Sequence, residues 1–414
     1  MTDEARIESL GAGGAGVTHL ADGMIAFVPR TAPGDLVKLT GIKRHKRHAT
    51  ARAAAIVEPG PDRVDPPCRH FTFDHCGGCQ WQHVSYPAQL AAKRRIVGDA
   101  LRRIGKRDVA DPDVMPSPRE YGYRTTITLT VRRRGGHVIA GFHDERDPDV
   151  VFLLERCHIA RPELQALWDA IKGAIHHLPE GDDVRLRLRV GEDGSLHAVV
   201  SGGDKAWTNG EPLTQAAGGA GMFLTVWWHP AGGAPRRVSG PDADPAVVSF
   251  GQVNAEVAAM MKRRVIDQAI GQPGGRARRR ILDLYAGSGD TAIPLARQGH
   301  DVELVEMDAR AVRRAELLAE QEGVKLGAHA GNVEARLEKL LPADAVIVNP
   351  PRTGLGEYVA QLLGSSSPQL LVYVSCDPAT LSRDLNRMQS RLVSVTAYDM
   401  FPQTSHVETL VVAE

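Results

Sequence analysis

Residues 281–296, ILDLYAGSGDTAIPLA, constrain this chain more than any other stretch. An apolar run breaks at a glycine-rich turn and passes at once into a helical pattern, so strand, turn and helix follow without a linker. Gly287 and Gly289 let the backbone turn tightly and approach a ligand closely. The neighbouring sequence repeats the theme. Apolar runs at 281–285, 302–305, 345–348 and 370–374 alternate with helical stretches, the pattern of a parallel sheet buried on both faces. An α/β, Rossmann-like domain is therefore expected over 245–414.

Read loosely, 287–292 satisfies a G-x-G-x-x-A dinucleotide fingerprint. The flanking charges argue for a different ligand. Asp283 and Asp290 suit ammonium and sulfonium groups better than a pyrophosphate. Glu306 ends the next strand, about twenty residues on, where a carboxylate can hold two ribose hydroxyls. Asn349-Pro350-Pro351 follows the strand 344–348, at the carboxyl edge where open α/β sheets bind ligands. Glycine turn, ribose acid and Asn-Pro-Pro together describe an S-adenosylmethionine site.

Cys376, in LLVYVSCDPATLSRDL, ends an apolar strand just before a helix starting near Ala379. A helix N-terminus there is expected to favour the thiolate and lower its pKa. A lone cysteine at a strand end is commonly an inert buried thiol. Beside a methyl donor it has a use, because C5 of a pyrimidine is a poor nucleophile. Thiolate addition at C6 makes the ring an enolate that can attack a sulfonium methyl. The adduct must then lose its C5 proton to a general base. Glu408, in SHVETLVV, is the expected base; the bland alternative is a solvated carboxylate on a terminal hairpin.

At 414 residues the chain holds more than one core, since a domain takes about 150. Residues 1–58 carry short alternating runs between Gly-rich and Pro-Gly turns, the pattern of a small β-barrel. Lys43, Arg44, His45, Lys46, Arg47, His48 and Arg52 there either guard a strand edge or contact phosphates. Residues 59–67 read as a Pro-rich linker, followed within 59–105 by a cysteine-rich segment and a helix from about 86 to 104. The helix has Leu90, Val97, Leu101 and Ile104 on its apolar face and Lys93 among the cations around them. Residues 106–244 read as an α+β middle domain with a single helical stretch, 162–176.

Cys68, Cys76 and Cys79 form a C-x7-C-x2-C arrangement, and Cys157 supplies a possible fourth ligand. Four sulfur ligands suit zinc or an iron–sulfur cluster, and spacing alone does not separate them. Five cysteines are too sparse for a disulfide scaffold, and the N-terminus lacks a secretory signal, so a cytoplasmic protein is expected. No apolar run spans a bilayer. Fifty basic and fifty acidic residues exclude a globally basic nucleic-acid binder but not a locally basic face.

These residues resemble the class I RNA uracil-C5 methyltransferases, in particular the iron–sulfur branch acting on 23S ribosomal RNA, over nearly the whole chain. IESLGAGGAGVTHLADGMIAFVPRTAPGDLV is similar to the family's TRAM domain, an OB-like RNA-binding barrel. CGGCQWQH, with Cys68 and Cys157, is similar to its 4Fe-4S ligand set. The resemblance assigns Gln252 of FGQVN, Tyr285 and Glu306 to the methyl donor, and Cys376 and Glu408 to nucleophile and base. The family usually has an aspartate where Asn349 stands, and its first cysteine spacing is typically shorter.

The expected protein is thus a monomeric, cytoplasmic methyltransferase making 5-methyluridine, in 23S ribosomal RNA before transfer RNA. S-adenosylmethionine and a 4Fe-4S cluster are its expected cofactors, with zinc the lesser alternative, and RNA is its partner, with no membrane. Two rivals stand beside it. A base N-methyltransferase would also use Asn-Pro-Pro, but normally with an aromatic residue next, where Arg352 stands. An iron–sulfur RNA-binding protein without turnover is the other.

Overall fold

The structure is a computed structural model that describes residues 4–203, 205–248, 251–271, 278–366 and 368–414. The chain forms two compact units. The first comprises Met1–Tyr86, Pro118–Glu256 and Pro402–Thr404; the second comprises Pro87–Ser117, Val257–Phe401 and Ser405–Glu414. The stretch 59–105 therefore divides between them. Among the described residues, no helix is long and apolar enough to cross a membrane.

In the first unit, residues 4–58 make a six-stranded sheet. Its two end strands, Glu4–Arg6 and Ser9–Leu10, are consecutive in the chain; one pairs with Leu36–Arg44 and the other with Gly16–His19. Alternation decides which side chains face inward: Val37 and Leu39 are buried beside Ile7, Val28 and Ala49, while Lys38 and Thr40 point outward. Gly16 is needed for close approach, because a Cβ there would lie 2.1 Å from the Thr31 hydroxyl. The Pro-rich segment is tied to this sheet. Buried Asp35 accepts from the Gly60 amide (2.8 Å) and from Arg63 Nη2 (2.6 Å).

The middle sheet has seven strands. All its pairs are antiparallel except Leu196–Ser201 with Leu224–His229. A parallel pair needs a crossover, and the helix Glu211–Gly219 lies in that connection. The sequence reading lacked this helix. It ends in two glycines, poor helix formers, so propensity hides it. Its Leu213 and Ala217 join Leu164, Leu167, Trp168 and Ile171 of the helix Pro162–Ile171 in the core over Leu129, Leu186 and Leu188.

The second unit is built on an eight-stranded mixed sheet. Gly327–Ala330, Asp301–Glu306, Arg280–Leu284, Ala345–Val348 and Leu370–Ser375 run parallel in that spatial order. Ala345 and Ile347 face one core and Val346 and Val348 the other, so the sheet is buried on both faces as expected. Glu408–Ala413 then enters antiparallel between Leu370–Ser375 and Leu392–Tyr398. Asp113–Met115 adds an edge strand.

The helix Tyr86–Arg103 contributes Val97 and Leu101 to this unit's core, but Ile104 is exposed. Lys93, expected among the surrounding cations, is fully buried. Its ammonium pairs with buried Asp399 and donates to the Phe401 carbonyl at 2.9 Å. The partner charge makes that burial possible.

Candidate active site

The strand order reverses between Arg280–Leu284 and Ala345–Val348, and both strands end at the same edge in register, Leu284 opposite Val348. Open α/β sheets bind ligands at such a switch point. Tyr285 leaves the first strand at φ +61°, an unusual conformation for a residue with a side chain, and Gly287 and Gly289 follow at +55° and +82°. Glu306, on the next strand over, accepts from the Gly287 amide (3.0 Å) and the Asp308 amide (2.9 Å), fixing the loop. Asn349 emerges beside Tyr285. It is exposed, its backbone amide donates to the Leu284 carbonyl at 3.3 Å, and its side chain has no partner among the described residues.

Asp283 lies under this loop, buried, and accepts from the Thr291 hydroxyl. Burial pushes its carboxyl up to about 7 against that hydrogen bond, and the charges of Asp290 and Glu306 push the same way. Three carboxylates thus converge on one turn. A ligand bearing positive charge relieves them, whereas a pyrophosphate would not.

Cys376 and Glu408 meet through register. The antiparallel pairs run Val374–Leu410 and Ser375–Thr409; Cys376 lies just past this ladder and Glu408 next to Thr409, close enough for the Glu408 charge to act on the thiol. Glu408 is 5 % exposed, and burial pushes its carboxyl up to about 7 although the Arg352 guanidinium pulls it down. A base with that value is poised for proton transfer near neutral pH.

The half-buried Cys376 thiol is shifted upward, opposite to the expectation from the helix N-terminus. Burial raises it, Glu408 and Asp377 raise it further, and Arg352 lowers it. Asp377 also caps the helix Pro378–Met388 itself, accepting from the Thr380 amide at 2.8 Å, so part of the helix-end field is already answered.

The chain has full-length relatives of known type. It is 33 % identical to the 23S rRNA (uracil(1939)-C(5))-methyltransferase of Aromatoleum aromaticum, over 99 % of each chain. It is equally identical to an uncharacterised RNA methyltransferase of Thermosynechococcus vestitus, over 99 % of this chain and 97 % of that one. The family model for tRNA (uracil-5-)-methyltransferase matches residues 334–414, the stretch holding Cys376 and Glu408; that for the methyltransferase small domain matches 258–371. This chain is an S-adenosylmethionine-dependent RNA (uracil-C5) methyltransferase. Its fold agrees with the crystal structure of Pyrococcus abyssi tRNA (uracil-54, C5)-methyltransferase in complex with S-adenosyl-L-homocysteine, with a TM-score of 0.75 over 99 % of this chain and 100 % of that one, at 23 % identity.

Sequence reasoning gave no role in this methyltransferase to two residues near the candidate site. Arg352 stands where the N-methyl rival wants an aromatic, and its charge acts on both Cys376 and Glu408. Asp384 is fully buried and accepts from the Leu355 amide (2.7 Å) and the Tyr373 hydroxyl (2.9 Å). Its helical spacing from Thr380 was the available signal.

Gln252 lies in the first unit, where the Thr125 hydroxyl donates to its carbonyl at 3.1 Å. Phe250 of the same motif lies outside the described residues.

The methyltransferase carries its other cysteines in the first unit, all as free thiols. Cys68 and Cys79 are buried with Phe71, Tyr123 and Ile159, and Cys157 packs against them. Cys76 and Cys79 feel the charges of one another's neighbours, Cys68 and Cys157, so the four share one locale. Buried polar atoms without partners crowd the same segment, on His75, Gln80, Gln82 and His83. Among the described residues no three His, Cys, Asp or Glu are gathered as for a single metal ion.

Proposed function

We propose that this enzyme makes 5-methyluridine in 23S ribosomal RNA through a covalent adduct between Cys376 and C6 of the base. The closeness of Cys376 and Glu408 where two paired strands end, on the sheet that carries the donor loop, supports this most. The uridine must leave its stack to reach them. The Cys376 thiolate forms a bond to C6, and the electron pair moved to C5 takes the methyl group from the sulfonium. Glu408 removes the C5 proton, the C6–S bond breaks, and the thiolate returns. Glu306 would hold the ribose, with Tyr285 and Asn349 around the rest of the donor; Gln252 is assigned to the donor by the resemblance alone.

Residues 4–58 would act as a TRAM-like barrel, since the segment 4–10 pairs at both ends of the sheet. The exposed Lys43, Lys46, Arg47 and Arg52 beside its longest hairpin suit RNA phosphates. The ribosomal reading rests on relatives matched along the whole chain; a transfer-RNA target rests on a model covering only 334–414. Nucleoside mapping of both RNAs from cells with and without the protein decides. Loss of 5-methyluridine from transfer RNA alone overturns the ribosomal reading.

Four thiols in one locale, three of them buried, have the chemistry to hold a 4Fe-4S cluster, which would tie the cysteine-rich segment to the middle domain. Cys68, Cys76, Cys79 and Cys157 would hold it. Anaerobically purified protein is expected to be brown, with iron and acid-labile sulfide, and Cys79→Ser to lose both and to weaken folding or RNA binding more than donor binding. Stoichiometric zinc without iron would replace the cluster by a zinc site.

Asn349 stands where the resemblance calls for aspartate. Asparagine keeps one acceptor, gains a donor and loses a charge. A charge-assisted bond is worth roughly 1.5–3 kcal/mol against about 1 for a neutral one, so the loss is modest. Asn349→Asp is expected to bind the donor as tightly or more tightly in calorimetry, and Asn349→Ala about fivefold more weakly. A wild type inactive on every cellular RNA, with activity restored by Asn349→Asp, would refute this and leave the non-enzymatic rival.

A further inference from the structure

The loop 352–355, between the donor edge and the nucleophile, is held by one face of the helix Pro378–Met388. The Thr380 hydroxyl donates to the Arg352 carbonyl at 3.1 Å. Arg383 Nη2 donates to the Thr353 carbonyl (2.7 Å) and to Asp384 Oδ1 (2.8 Å). Asp384 Oδ2 takes the Leu355 amide and the Tyr373 hydroxyl. Three loop residues, Arg352, Thr353 and Leu355, are therefore anchored by Thr380, Arg383 and Asp384, spaced to share a helix face. Gly354 lies against the same face at φ +75°, where a Cβ would sit 2.3 Å from Asp384 Oδ2 and 2.5 Å from Thr380 Cγ2. The contact admits no side chain.

So many bonds on a short surface loop need a reason, because loops are usually the freest backbone in a domain. The loop begins with Arg352, an exposed residue whose guanidinium acts on both Cys376 and Glu408. A long exposed side chain acts steadily on a fixed point only if its backbone is fixed. We propose that Thr380, Arg383 and Asp384 form a clamp whose task is to position Arg352 beside the Cys376–Glu408 pair. They are positioning residues, acting through Arg352 and not on substrate. The inference rests on the nucleophile and base assigned above.

The groups facing the Cys376 thiol are Glu408 from the neighbouring strand, Arg352 from the loop and Asp377 at its own helix cap. Releasing Arg352 removes a cation that lowers the thiol pKa, so the thiol should titrate at higher pH. Asp384 is too buried for a clean test, but Thr380 sits at the clamp's partly open edge. The experiment is the pH dependence of iodoacetamide alkylation of Cys376 in the whole protein without RNA, followed by peptide mass spectrometry. Arg352→Gln is expected to slow it about tenfold at pH 8, as loss of a nearby opposite charge shifts a pKa by about one unit. Thr380→Val is expected to slow it about threefold, a fraction of one hydrogen bond. Thr380→Ser should restore the wild-type profile, and Thr380→Val should add nothing in the Arg352→Gln background. A Thr380→Val profile equal to wild type, or the same slowing on top of Arg352→Gln, overturns the clamp. The catalytic reading fails separately, by a wild type that traps no adduct on 5-fluorouridine RNA, and that result leaves the alkylation profiles untouched.

Discussion

Cys376→Ala is expected to abolish methylation, with turnover down by at least about 10⁴-fold, as for nucleophiles removed from other enzymes. Donor affinity should stay within about twofold, because Glu306 and the glycine loop, fixed by their own hydrogen bonds, owe nothing to the thiol. The decisive measurement is a trap. On RNA carrying 5-fluorouridine the wild type should form a methylated covalent complex that survives denaturing electrophoresis, since fluorine cannot leave as a proton. The Cys376→Ala protein should form none. An active wild type that traps no adduct would sink the nucleophile and revive the N-methyl rival. Because burial raises the Cys376 pKa, the rate of adduct formation should rise with pH across the neutral range.

Glu408→Gln should separate the two halves of the reaction. The amide keeps the shape of the side chain and cannot take the C5 proton. Methyl transfer should occur once, and the methylated adduct should accumulate on ordinary uridine RNA, with turnover reduced about 10²–10⁴-fold. Normal turnover would move the base role elsewhere. The wild-type rate should fall as pH drops through about 7, where the carboxylate becomes protonated. Stability should respond in the opposite sense. The folded value lies above the ordinary 4.5, so the contribution of this group is whole below about pH 4.5 and lost as pH rises through about 7. Glu408→Gln should therefore be the more stable protein at pH 8, by up to about 3 kcal/mol, with the gap closing toward pH 4.5. Denaturant unfolding at the two pH values reads this directly.

Burial was harder to read from the sequence than periodicity. Val97 and Leu101 follow the helical spacing and are buried, but Lys93 is buried as well, because Asp399 waits for it far along the chain. The helix Glu211–Gly219 was invisible to propensity and became necessary only once two strands proved parallel. The thiol shift was misjudged for a similar reason. A helix N-terminus is a local feature, whereas burial, which raises the thiol most, and the Glu408 carboxylate, which arrives on another strand, come from the packed fold.

What the sequence by itself determined is whatever depends on near neighbours. The strand–glycine–helix turn at 281–296, the acid ending the next strand and the sheet buried on both faces are set by residues close in the chain. Alternation, helical period and backbone freedom are local properties. Only the tertiary structure decided which distant side chains meet. A one-residue slip of the last strand would turn Glu408 to the other face and away from Cys376. The register that prevents this is set by packing along Leu410 to Ala413 between two strands, which no local pattern specifies. Arg352 is likewise ordinary in sequence, and it bears on the site because Thr380, Arg383 and Asp384 hold its loop where the strand ends meet.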